Sequence, residues 1–296
     1  MWEKDININE VKEIRTRIAS VSSTQQITSA MKMVSASKLR KSQNAILKLR
    51  PYSAKMTEII QNLCGSEKDE LPLARQTKIV SNVLLLVLTS NKGLCSTFNS
   101  NVIKATNQRI EYYKANNADI RIDVKTFGKK GTDFFKKQNS VNYVGENDEI
   151  WDNLSFEMVA KESDLLIKEF LNQKYDKIEI IYNQFKNAST QILTYETFLP
   201  ISFEQEESNV NNDYIFEPSK VEIINSIIPQ SLKTQLFKCF LDSFASEHGA
   251  RMTSMHKATD NATNLLKELK LTYNKARQAS ITNEIIEICS GAEALK

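Results

Sequence analysis

The sequence predicts an α/β fold plus a coiled coil: long N- and C-terminal helices paired as an antiparallel coiled coil, with an inserted Rossmann-like α/β domain. Three observations predict it. The first 50 residues contain neither glycine nor proline. The last 67, Gln230 to Lys296, hold no proline and only two glycines, Gly249 and Gly291. Between them, strand-like and helix-like segments alternate. An interior glycine costs a helix about 1 kcal/mol and an interior proline about 3. The ends therefore read as long helices and the middle as a compact insert. The expected division is an N-terminal helix (1–64), a linker (65–78), an α/β domain (79–225) and a C-terminal helix (226–296).

The first helix is expected to start near Asn9, a capping residue, with Glu10 and Glu13 in the first turn facing the positive end of the dipole. Val11, Ile14, Ile18 and Val21 are spaced as a coiled-coil seam. The next apolar set, Ile27, Met31 and Val34, is out of phase with the first, which predicts a local change of winding. The helix reaches at least Arg50, about 60 Å at 1.5 Å per residue. Pro51 predicts a kink or a break.

Residues 65–78, with Gly65, Ser66, Pro72 and several charges, read as a linker. Val83 to Leu88 is then a buried strand and Thr97 to Asn116 a helix. Ile120, Ile122 and Val124 alternate with polar residues and predict a second strand ending near Phe127. A short helix near Thr132 to Gln138 and a strand near Val141 to Val144 follow. Leu154 to Asn172 is amphipathic, carrying Met158, Leu165, Leu166 and Phe170. Ile178 to Tyr182 and Gln191 to Phe198 are further strands. This alternation implies a largely parallel sheet covered by helices.

The final helix is expected to begin near Pro229, which suits a first turn. It runs to about Leu295, roughly 100 Å if straight. Ala258, Ala262, Leu265, Leu269, Tyr273 and Ala276 carry its seam, and small residues there allow close approach of a partner helix.

Composition narrows the function classes. Hydrophobic residues are 41% and charged residues 25%, so the chain folds rather than staying disordered. A net charge of +3 implies no partner by itself. Its distribution is uneven: Ile14 to Thr57 carries no acid but nine cations, including Arg15, Arg17, Lys32, Lys38 and Arg50. Acids gather at Glu204, Glu206, Glu207, Asp213 and Glu217. Cys64, Cys95, Cys239 and Cys289 form no CxxC pair, so free thiols are expected rather than a zinc site. The N-terminus does not read as a secretory signal. Val83 to Leu88 is too short to span a bilayer.

Thr89-Ser90-Asn91-Lys92-Gly93-Leu94-Cys95-Ser96 sits between a strand and a helix, where α/β sheets bind phosphate. The glycine patterns of a dinucleotide site and of a P-loop are both absent, so an ordinary turn is expected. The basic first helix has charges all round it and few interleaved aromatics, which favours a solvated or protein-facing surface over nucleic acid. No carboxylate pair or Ser/His/Asp set stands out. No catalytic residue, cofactor or metal is expected. A coiled-coil adaptor or nucleic-acid arm would explain the rods, and a phosphate-binding enzyme would need a ligand at Gly93.

The two ends together point further. Ile14-Arg15-Thr16-Arg17-Ile18-Ala19-Ser20-Val21, Thr24 to Val34 and Ala36 to Ser42 closely resemble the N-terminal signature of the gamma subunit of F-type ATP synthases. Ala258 to Ala262, Leu266 to Leu269 and Tyr273-Asn274-Lys275-Ala276-Arg277-Gln278-Ala279-Ser280-Ile281-Thr282 resemble the same family. Gly93-Leu94-Cys95 matches its short turn in the α/β domain.

The resemblance implies a central rotor stalk that is itself not catalytic. The paired helices would form an axle inside a ring of alpha and beta subunits, and the α/β domain would meet the epsilon subunit, or its equivalent, and the c-ring. Proton or sodium flow would turn the c-ring and this chain with it. No nucleic acid is implied. The chain would be peripheral to the membrane through the c-ring, on the cytoplasmic face in a bacterium or the matrix or stromal side in an organelle. Met31, Arg251, Arg277 and Gln278 match family positions facing beta, with Thr282 and Glu284 following on the same end. Tyr214, Phe216 and Glu217 match the foot region that meets the c-ring.

Four positions depart from the family pattern. Ile286 replaces a polar residue, Gly249 replaces a small helix former and is expected to soften the axle, and Ser96 and Thr97 stand where many relatives have glycines.

Overall fold

The computed structural model describes residues 8–64, 72–75, 77, 80–138, 141–201 and 220–293. The chain forms two compact units, Met1–Val34 with Met252–Lys296, and Ser35–Arg251. Helices α1 (Ile8–Cys64) and α5 (Lys220–Glu293) contribute to both. Asn9, expected as a cap, is already helical in α1. Neither helix is limited by its proline. α1 passes through Pro51 to Cys64, and α5 is helical nine residues before Pro229. A helical proline strips the carbonyl four residues earlier of its donor. Here those residues are Leu47 and Asn225, both exposed, so water can take the bond.

In the first unit α1 and α5 pair antiparallel. Gln25 Nε2 donates to Thr263 Oγ1 at 2.7 Å, Thr259 Oγ1 donates to Thr28 Oγ1 at 2.9 Å, and Lys32 Nζ lies 3.3 Å from His256 Nδ1. Numbers rise along one helix as they fall along the other. The seam of α1 keeps one rhythm: Val11, Ile14, Ile18 and Val21 are followed in phase by Gln25, Thr28 and Lys32. The expected slip therefore does not occur. Ile27 and Val34 are 60% and 59% exposed, and Met31 is half-buried. Beyond Val21 polar side chains hold the seam positions, and Ile27 and Val34 face outward. On α5 the seam runs through Met255, Thr259, Ala262, Leu266, Leu269, Tyr273 and Ala276. The expected Ala258 and Leu265 are half-buried beside it.

The second unit is built on a five-stranded sheet of order β3-β2-β1-β4-β5. The strands are β1 (Asn82–Leu88), β2 (Arg121–Phe127), β3 (Asn142–Glu146), β4 (Lys177–Phe185) and β5 (Gln191–Leu199). β1 to β4 are parallel and β5 adds antiparallel to β4. Three helices connect them: α2 (Phe98–Asn116), α3 (Lys129–Phe135) and α4 (Phe156–Leu171). α3 starts three residues earlier than the pattern predicts, because it takes in Gly131. Ser155 caps α4, its hydroxyl accepting from Met158 N–H.

Central β1 is buried on both faces, which is why it reads as an unbroken apolar run. Val83, Leu85 and Val87 pack with Val102, Ala105 and Ile110 of α2 and Phe135 of α3. Leu84, Leu86 and Leu88 pack with Val159 and Leu166 of α4, Leu236 and Phe240 of α5, and Ile60 of α1. α4 turns Leu166 and Phe170 inward and leaves Leu165 54% exposed. The long helices thus share with α4 the cover of one face of the sheet.

Candidate functional site

An open parallel sheet offers a ligand crevice beyond the C-terminal strand ends where the strand order reverses. Here that point lies beyond β1 and β4, and the chain fills it. Thr89, Ser90 and Asn183 at the crest are 0%, 0% and 2% exposed. Ser90 N–H donates to Asn99 Oδ1 at 2.9 Å, and Ser90 Oγ donates to Lys92 O at 2.7 Å. Asn183 Nδ2 donates to Phe98 O at 3.1 Å, tying β4 to the start of α2. Gly128, at φ 114°, crosses the end of β1 so closely that a Cβ would stand 2.2 Å from Thr89 O. Only glycine fits there.

α5 completes the closure. Cys95, Phe98 and Ala250 form a small buried cluster. Arg251, one residue on, is 6% exposed. Its Nη2 donates to Lys92 O at 2.7 Å and Gly93 O at 3.1 Å, its Nε to Gly93 O at 3.2 Å, and its Nη1 to Glu247 Oε1 at 2.6 Å. Gly249 meets the β4–β5 turn, where a Cβ would lie 3.2 Å from Ala188 Cα and O. α5 runs through Gly249 unbroken, and the glycine makes room for the turn.

Burial sets the charge states here. His248 is held neutral, its pKa pushed down to about 3 by burial and by the positive charges of Arg251 and Lys38. Burial pushes the Glu247 carboxyl up, and Arg251 pulls it back. Further back on α5, burial raises Asp242 to about 6 against the opposing pull of Lys238 and Arg50. Among the described residues no cluster of His, Cys, Asp and Glu could hold a metal ion. No described helix is long and apolar enough to cross a membrane.

The other residues singled out by sequence lie in the first unit or outside the described residues. Arg277 and Glu284 line one cleft of about 320 Å³ between α5 and α1, with Lys12, Arg15 and Tyr273. Gln278 and Thr282 are exposed, and the Thr282 hydroxyl donates to Gln278 O at 2.9 Å. Ile286 is 56% exposed, in a helix end whose residues from Ile281 to Glu293 all face solvent. Tyr214, Phe216 and Glu217, and the acidic stretch around them, lie outside the described residues. Sequence reasoning missed Glu247, His248 and Asp242. The signal was available, since acids and a histidine interrupt an otherwise apolar or small stretch of α5.

Two very long helices at the two ends of the chain, with an α/β domain inserted between them in sequence, define the class of protein by its architecture. The ATP synthase family model matches residues 10–295. The ATP synthase gamma chain of Flavobacterium johnsoniae is 58% identical over 96% of this chain and 98% of its own length. That of Christiangramia forsetii is 56% identical over the same shares. Among solved structures, a chain of the Euglena gracilis mitochondrial ATP synthase OSCP/F1/c-ring superposes with a TM-score of 0.67 at 19% identity, covering 98% of this chain and 95% of that one. A chain of the Euglena gracilis rotor gives 0.63 at 19% identity over 93% and 100%. The chain belongs to the ATP synthase gamma-chain family.

Proposed function

We infer that this chain is the central rotor stalk of an F-type ATP synthase, carrying torque between an ion-driven c-ring and a catalytic alpha–beta ring, and that it is itself not catalytic. The observation that carries the last point is the closed crest of the sheet, where Ser90, Asn99, Asn183 and Arg251 use the polar groups that a phosphate would need. Two helices of 57 and 74 residues supply the stiffness a torque-bearing stalk requires.

In this reading Met31, Arg277, Gln278, Thr282 and Glu284 meet the beta subunits. All are half-buried or exposed in the unit that α1 and α5 form alone. Arg251, expected in the same set, is buried and takes an internal role. Tyr214, Phe216 and Glu217 meet the c-ring, on the resemblance in sequence. An epsilon subunit or its equivalent binds the α/β domain. The chain is peripheral to the membrane through the c-ring, on the cytoplasmic face in a bacterium.

Affinity purification of the tagged full chain from its native membranes tests this. The account expects alpha, beta, epsilon and c subunits in fixed ratio, and no ATP turnover by the chain alone. Turnover by the isolated chain at the rate of an assembled ring would overturn it.

A further inference from the structure

Arg251 is the last residue of its unit along α5. Its guanidinium makes three hydrogen bonds to two adjacent carbonyls, Lys92 O and Gly93 O, and a fourth to Glu247. The turn it grips is strained: Leu94 and Ser96, neither a glycine, sit at φ 62° and 54°. Such residues stay in the left-handed region only when their surroundings hold them there. Cys95 lies between them at 2% exposure, against Ala250 of α5. The apolar contact at this point is three residues wide, so the guanidinium is the main polar tie between turn and helix.

We propose that Arg251 is a positioning residue whose fork latches the Lys92–Ser96 turn onto α5 and carries part of the torque between that turn and the helix, alongside the apolar packing of Leu232, Leu236 and Phe240. A planar guanidinium can serve two neighbouring carbonyls and a carboxylate at once, which a lysine ammonium cannot do in the same geometry. Glu247 neutralises the buried cation, without which its burial would be strongly unfavourable. The consequence for torque rests on the rotor reading above, whereas the latch itself is a property of the chain alone.

Arg251→Met and Arg251→Lys test it in the full chain and in the complex reconstituted with its ring and c-ring in vesicles. The first readout is the rate at which Cys95 in the folded chain reacts with a thiol reagent, mapped by mass spectrometry against exposed Cys289. We expect a rise of about tenfold or more in Arg251→Met and a smaller one in Arg251→Lys, with circular dichroism unchanged. The second readout is ions pumped per ATP hydrolysed. The latch lowers this ratio while hydrolysis persists; a merely destabilised stalk lowers both together.

Unchanged Cys95 reactivity in a folded variant overturns the latch. Raised reactivity with wild-type pumping per ATP overturns the positioning role. If Arg251→Met does not fold, the same two outcomes are read on Arg251→Lys. Wild-type complex that hydrolyses without pumping counts against the rotor reading, and Cys95 reactivity then decides the latch alone.

Discussion

Gly249 of α5 lies against Ala188 in the β4–β5 turn so closely that a Cβ on the glycine would meet the alanine backbone at 3.2 Å. That distance is tight but not prohibitive. In Gly249→Ala, about 1 kcal/mol of helix propensity favours the variant, and displacement of the turn opposes it. We expect Gly249→Ala within about 1 kcal/mol of wild type and Gly249→Leu at least 2 kcal/mol less stable, as overpacking against backbone leaves no room to relax. Urea titration of both variants checks this. A Leu variant as stable as wild type would remove the close approach as the reason for the glycine.

Two residues of α5 give stability opposite pH slopes. Asp242 titrates near 6 in the fold and near 3.8 when unfolded. The native state binds the extra proton, so stability falls as pH rises from about 4 to 6, and the penalty is complete above that. The difference corresponds to on the order of 3 kcal/mol. His248 titrates near 3 in the fold and near 6.5 when unfolded. The unfolded state binds the extra proton, so stability falls as pH drops from 6.5 towards 3. Asp242→Asn should therefore gain stability at pH 7 to 8, and His248→Leu should flatten the acid limb. Thermal melts across pH 4 to 8 separate them. Parallel pH profiles for both variants and wild type would contradict these assignments.

The polar seam of the first unit makes a different prediction. The Thr28 and Thr259 hydroxyls lie 2.9 Å apart, and each also lies within donating reach of a carbonyl on its own helix, Gln25 O and Met255 O, so their two protons are shared among three contacts. A double-mutant cycle with Thr28→Val and Thr259→Val should give a coupling of about 0.5–1 kcal/mol, with the double variant close to wild type. Strict additivity of the two single variants would mean that the hydroxyls do not interact.

How far this was legible from sequence varies with the kind of signal. β1 and α4 were readable because burial and hydrophobicity coincide in Val83 to Leu88 and in Leu166 and Phe170. The seam beyond Val21 was not, since Gln25, Thr28 and Lys32 hold it while Ile27 and Val34 face outward. Hydrophobic pattern reports the seam only where the seam is apolar. Pro51 does not break α1 and Pro229 does not start α5, for a related reason: a proline's cost falls when the carbonyl it orphans faces water. Arg251 was visible as a basic position, but its partners, Lys92 O and Gly93 O, are backbone atoms about 160 residues away. Side-chain spacing carries no trace of such contacts.

Arg277 shares a cleft with Glu284, and Gln278 beside it is exposed. Exposed side chains contribute little to the stability of the free chain. Arg277→Ala with Gln278→Ala should leave its melting temperature within a few degrees of wild type while lowering turnover or assembly of the reconstituted ring. Full assembly and wild-type turnover would remove both residues from the beta-facing set.

The central claim is that this chain turns. With the alpha–beta ring fixed to a surface and a bead attached through a cysteine replacing exposed Lys137 of the α/β domain, the account predicts ATP-driven rotation of the bead in one direction, pausing three times per turn to match three beta subunits. A complex that hydrolyses ATP under a stationary bead, with the chain demonstrably in place, would contradict it.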